Sequence, residues 1–121
     1  MAETREQLRE RLLADVPLAR RMVHAPEWGA VWVRELAGFE REELEEHLTR
    51  QPNRTRASYV AAHVCDADGK RVFTWKDVHA LCKLPPRILN PVFEAALEVS
   101  AMGDKELEEE AGNSSSGPES S

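Results

Sequence analysis

The stretch AAHVCDADGKRVFTW, residues 61–75, decides how the rest of the chain is read. Small apolar residues run into Asp-x-Asp-Gly, and a segment carrying two aromatics follows. Asp66, Asp68 and Gly69 have the look of a calcium loop's opening. An EF-hand loop takes oxygen ligands at positions 1, 3 and 5, glycine at 6 and a bidentate glutamate at 12. Counted from Asp66, the last three of these positions hold Lys70, Arg71 and Asp77. Cations stand where a ligand and a turn glycine are needed, so the residues argue for a turn. Asp68-Gly69 supplies positive φ, and Asp66 can accept local backbone N–H groups. Residues 70–73 then read as an extended segment, a third short strand.

Upstream, Ala57, Val60, Ala61 and Val64 recur at the spacing of a buried helix face. They predict a central helix over 54–65, which Ala61 and Ala62 let a neighbouring helix approach closely. Asn53, after Pro52, is the expected cap. Downstream, Thr74 and Asp77 are spaced as a capping box, with Phe73 and Val78 as its hydrophobic staple. They open a helix over 74–84 with Val78, Leu81 and Cys82 facing inward. Pro85 and Pro86 break the chain and suit the first turn of the next helix. Ile88, Leu89, Val92, Phe93, Ala96 and Leu97 make that helix's wide apolar stripe. Pro91 lies near its start, where a missing N–H costs little.

Before the central helix the pattern changes. Residues 20–36 hold two candidate strands around Pro26-Glu27-Trp28-Gly29, whose proline and glycine supply turn chemistry. Val31 and Val33 share one face of the second strand; Trp32, Arg34 and Leu36 share the other. Residues 39–50 form a charged helix with a narrow seam of Phe39, Leu44 and Leu48, its glutamates facing water. Residues 4–14 form an amphipathic helix with Leu8, Leu12 and Leu13 on one stripe, and Thr4 with Gln7 as a capping box.

The fold class expected is mainly α with a small β-hairpin, an α+β arrangement. It has about five helices around one core and a two- to three-stranded β element. One domain spans 1–103, with the hairpin at 20–36. Residues 104–121 read as an acidic, Ser-rich disordered tail, with DKELEEEAG alternatively a frayed acidic helix.

Composition limits the function. The chain has 121 residues, 41% hydrophobic and 31% charged, which suits one soluble globular domain. No apolar run approaches the ~18 residues of a membrane span, and Met1–Glu10 lacks a signal peptide's apolar core. A cytoplasmic protein without membrane contact is expected. The net charge is −6, and most of it lies in the tail, where Asp104, Glu106, Glu108, Glu109, Glu110 and Glu119 oppose only Lys105. That balance gives no electrostatic footprint for nucleic acid. Cys65 and Cys82 have no CxxC partner, and His24, His47, His63 and His79 have no metal-ligand spacing. No nucleophile motif or phosphate loop occurs. No metal, cofactor or catalytic residue is expected, and the chain reads as a non-enzyme. Trp28, Trp32 and Trp75 stand out as candidate partner-binding anchors, all in or beside extended or turn segments.

The order of features then carries a resemblance. APEWGAVWVRELAGFEREELEEHL (25–48) is a Pro-Glu-Trp-Gly hairpin, a Val-x-Val strand and a charged helix. ASYVAAHVCDADGKRVFTWKDVHAL (57–81) is a helix, an Asp-x-Asp-Gly turn and a capped helix. ILNPVFEAALEVSAMGDKELEEEAGNSSSGP (88–118) ends acidic, with Gly-Asn-Ser. Together they resemble the tail assembly chaperones of long-tailed, siphovirus-like bacteriophages and prophages.

The resemblance implies a non-enzymatic protein of virion morphogenesis, acting in the host bacterial cytoplasm and absent from the mature virion. It implies binding of the tape measure protein, kept soluble while tail tube subunits polymerise around it. It also implies a longer frameshifted form that recruits the tail tube protein, with the shift in the region of Gly112 and Asn113. Several copies on one client would add avidity, so a homo-oligomer fits. The alternatives are a small helical nucleic-acid-binding regulator, built on TWKDVHALCKLPPRILNPVFEAA, and an adaptor whose acidic tail engages a basic partner.

Overall fold

The computed structural model describes the backbone of residues 2–115 and the side chains of residues 2–101. The described elements are α1 (Arg5–Leu13), β1 (Arg20–Ala25), β2 (Gly29–Arg34), α2 (Gly38–Arg50), α3 (Thr55–His63), β3 (Val64–Cys65), α4 (Val78–Leu81) and α5 (Pro86–Ser115). Short 3-10 turns at Pro52–Arg54 and Trp75–Asp77 lead into α3 and α4. The fold is α+β with a small three-stranded antiparallel sheet in the order β1-β2-β3.

The hairpin registers Arg20 with Arg34 and Ala25 with Gly29. α5 lies across one face of the sheet and along α3. Val33, Val60, Ala61, Val92 and Ala96 are fully buried in the resulting core. Alanines on α3 and α5 let the two helices come close, so the core closes with small side chains. Each buried valine contributes about 1.5–3 kcal/mol relative to exposure.

The third strand differs from expectation. It lies at Val64–Cys65, paired with Val33 and Trp32, while residues 70–73 contribute only a bridge from Arg71 to Cys65. Helix α3 therefore stops at His63. Val64 leaves the helical region with φ −70° and ψ 131°, because a β-branched residue beside β2 gains strand pairing.

Several burial expectations are also corrected. α1 forms with its Thr4–Gln7 capping box but buries no residue, leaving Leu12 66% and Leu13 65% exposed. Phe39 is 65% exposed, and α2 buries Glu40, Leu44 and His47 instead. Cys82 is exposed because α4 ends at Leu81, whereas Cys65 is buried. Asn53 does not cap α3, which begins directly from the 3-10 turn. Leu97 is half-exposed on the outer side of α5, while Ala95 and Val99 are buried.

The backbone of α5 carries helix through the acidic run to Ser115. Side chains from 102 onward and residues 116–121 lie outside the described residues. So does the Ser-rich end of the expected tail. Gly112 and Asn113 fall within the helical backbone of α5.

α3 also holds a buried polar pair. The His63 ring donates from Nδ1 to the Tyr59 carbonyl (2.8 Å), since a carbonyl can only accept, and Nε2 accepts the Ser100 hydroxyl (2.9 Å). Burial pushes the His63 pKa down to about 4, so the neutral ring satisfies both bonds at neutral pH. Ser100 and His63 serve each other's hydrogen bonds inside the fold, a structural use of the pair.

Candidate functional site

Two tight turns bring the aromatic residues together. In the hairpin, Ala25 pairs with Gly29, leaving Pro26, Glu27 and Trp28 as the loop. The Trp28 N–H donates to the Pro26 carbonyl at 2.8 Å, and Glu27 between them has φ 70°. This is a γ-turn of the positive-φ kind, a strained conformation for a residue with a side chain. Gly29 follows with φ 76°, which glycine adopts without cost. Together they fold Trp28 back until its ring lies 6.2 Å from Phe73.

The second turn is the Asp66 loop. One Asp66 carboxylate oxygen, Oδ1, accepts the N–H groups of Asp68 and Lys70, both at 2.9 Å. The Lys70 bond, more than any other, holds the Asp66 carboxyl below the usual aspartate range. Gly69 has φ 84° and donates to the Asp66 carbonyl at 2.9 Å. Asp66 Oδ1 thus serves the loop's own backbone, as the turn reading expects.

Two arginines of the hairpin hold this loop against the sheet. Arg34 donates from Nε to the Gly69 carbonyl at 2.8 Å. Its two Nη atoms form a bidentate pair with Glu40 at 2.9 and 2.8 Å. Glu40 also accepts the Ala37 N–H, so one carboxylate starts α2 and neutralises a buried guanidinium. The Arg34 hydrogen bonds hold the Glu40 carboxyl below the usual glutamate range. Arg20 reaches the Ala67 carbonyl and stacks over Trp32, 4.8 Å from the ring centre.

Between the turns lies a groove of about 510 Å³ lined by Trp28, Val31, Trp32, Val64, Val72 and Phe73. β3 has only two residues, so the start of β2 lacks a strand neighbour on that side. The groove thus combines aromatic faces with a stretch of strand edge, a surface able to take an apolar side-chain row or an extended backbone. Val72 is 53% exposed at its mouth. Met22, opposite Trp32 in the register, extends the apolar surface onto β1.

The structure brings Trp28 and Trp32 to one groove and places Trp75 elsewhere. Trp75 stacks on His47 at 4.6 Å and lies under the Arg71 guanidinium at 4.9 Å. Sequence reasoning missed Val72 and Phe73 as partners of Trp28, and it missed Arg34 and Glu40 as the brace of the loop. One signal was available. A strand arginine followed by a glutamate at the third position of the next helix is the pattern of a cap that also pairs a charge.

Neither the family models nor the curated proteins give a match to this chain. Among solved structures, the chain is similar to one described as the bacteriophage HK97 tail assembly chaperone. The TM-score is 0.54 and the sequence identity 19%. The likeness covers 76% of this chain and 95% of that one, and it is a likeness of fold.

Proposed function

We propose that the chain is a phage tail assembly chaperone, a non-enzymatic protein that binds the tape measure protein and keeps it soluble before the tail tube forms. The observation that carries this reading is the chaperone-like fold, which spans 95% of the solved chaperone chain. The groove at Trp28 and Trp32 gives the reading a physical mechanism. A long helical client exposes apolar stripes until tube subunits cover it. Aromatic anchors on a charged, soluble domain bind such stripes with moderate affinity and release them. Under this reading the protein works in the bacterial host's cytoplasm and leaves before the virion is complete. A longer frameshifted form, diverging near Gly112 and Asn113, recruits the tail tube protein.

The nucleic-acid alternative has less support. The helix it would insert into DNA, α5, buries Ile88, Leu89 and Val92 in the core. Arg87, its one basic contact, pairs with Glu27 of the hairpin at 3.0 Å.

Co-expression with the tape measure protein of the same phage tests the proposal. The soluble yield of the client rises, and a complex survives gel filtration. Trp28→Ala combined with Trp32→Ala removes most of that gain while the variant stays folded. If the client's solubility is the same with and without the chain and no complex forms, the reading is wrong.

A further inference from the structure

We propose that the free edge of β1 takes up an extended segment of a different protein as an added strand, one that sets carboxylates against Arg20 and Arg21. The inference does not rest on the tape measure reading, whose groove lies on the β3 side of β2. Among the described residues β1 pairs only with β2, in the order β1-β2-β3, so its other edge has no strand beside it. The Glu35 N–H donates to the Ala19 carbonyl at 2.8 Å, one step outside the pairing of Arg20 with Arg34. Hydrogen-bonded and non-hydrogen-bonded pairs alternate along an antiparallel ladder. Arg21 with Val33 and Val23 with Val31 are then the bonded pairs, and the N–H and C=O groups of Arg20, Met22 and His24 point away from β2. All three residues are exposed, and among the described residues no backbone bond from outside the hairpin reaches those groups. Neither a proline nor a bulge blunts this edge, since the register runs one to one from Arg20 to Ala25.

The side chains along the edge define its occupant. No acid occurs between Val16 and Ala25, and β1 opens with Arg20 and Arg21. The Arg20 guanidinium lies 4.8 Å over the Trp32 ring, and Arg21 reaches Glu98 of α5, so both cations are held beside the edge. A guanidinium carries several N–H donors, and each of these keeps some for a carboxylate. Met22, 44% exposed, and the half-buried Val23 follow. Residues directly opposite on neighbouring strands share a face and interact. An antiparallel newcomer therefore needs two apolar residues against Val23 and Met22, then two acids against Arg21 and Arg20. A second copy of β1 does not meet that need: laid against itself about Met22, it sets Arg20 opposite His24 and brings no carboxylate. The charge that repels another copy selects an acid-bearing strand. Main-chain bonds supply affinity, and the carboxylates supply the choice.

Fluorescence anisotropy with the full chain and a labelled peptide, TTVIEETT, tests the proposal. The peptide binds, salt weakens it, and its counterpart with lysines for glutamates does not bind. N-methylation of the isoleucine and the second glutamate, whose nitrogens face β1 in this register, weakens binding by about tenfold or more. Methylation of the valine and the first glutamate, whose nitrogens face away, leaves binding in place. Met22→Pro removes one outward N–H without touching the bonds to β2, and weakens binding about fivefold. Thermal unfolding establishes that this variant is folded. Should it not fold, amide exchange in the wild-type chain decides: the peptide slows the N–H groups of Arg20, Met22 and His24, while those of Arg21 and Val23 are protected with or without it. A peptide that does not bind overturns the proposal, as does equal binding of the lysine peptide or of the two methylated forms. Slowed exchange at residues 28–32 in place of 20–24 moves the contact to the tryptophan groove and overturns it. So does protection of the edge by protein concentration alone, which assigns that edge to a second copy. Each of these outcomes leaves the tape measure co-expression experiment unaffected, so the two proposals fail separately.

Discussion

α1 and α3 are both nine residues long, yet they have opposite fates. α1 has three leucines and a complete capping box, and buries nothing. α3 has no side-chain cap and carries alanines, a serine and a histidine, and it is the most enclosed helix of the fold. Hydrophobic content did not decide burial. Position did: α3 enters between α2 and α5 and runs straight into the sheet, while α1 hangs before β1 on the exposed segment 14–19. A helix of this length is marginal alone in water, so α1 owes its form to its cap and local pairs such as Arg11–Glu3.

The comparison can be broken most forcefully through acid. His63 of α3 has its pKa lowered from 6.5 to about 4, chiefly by burial. The unfolded chain takes up this proton first, so the neutral ring's contribution is full above pH 6.5 and is lost as pH falls toward 4. The difference corresponds to about 3 kcal/mol. His47, also lowered by burial, acts in the same direction. Denaturant unfolding at pH 7 and pH 4.5 measures the loss. His63→Gln flattens the pH slope, and an unchanged slope in that variant would place the acid sensitivity elsewhere.

A smaller effect is expected from overfilling the same helix. Ala61 is fully buried where α3 crosses the core. Ala61→Leu forces its neighbours apart and costs about 1–3 kcal/mol. A lowered thermal midpoint reports it, and a neutral result would mean that α3 has slack the packing does not suggest.

The smallest effect belongs to α1. Leu12→Ser changes monomer stability by no more than about 0.5 kcal/mol, since that side chain is 66% exposed. A loss of several degrees in midpoint would show that α1 packs on the domain after all and would erase the contrast between the two helices.

Much of the fold was legible in short stretches. The hairpin could be read from Pro26 and Gly29, the loop from Asp66 and Gly69, and two helix starts from Thr4–Gln7 and Thr74–Asp77. Each depends on contacts within a few residues, which a single sequence displays. The candidate site was only half legible. Trp28 and Trp32 could be singled out as large aromatics near a turn, but their partners Val72 and Phe73 lie some forty residues further on. Trp75 looked equivalent in sequence and ended against His47, because the 3-10 turn aims it toward α2.

Sequence alone determined roughly where most helices begin, where the chain turns and that positive charge is scarce toward the C-terminal end. Propensity, capping and turn geometry act locally, and they are complete within a window of a few residues. Only the tertiary structure decided which faces are covered. It exposed Phe39, Cys82 and the leucines of α1, buried Arg34 with Glu40, and ended α3 at His63, before Val64 and Cys65, so that these two could pair with β2. Burial depends on what arrives from elsewhere in the chain, and pairing with β2 outweighed continuing the helix through Val64 and Cys65.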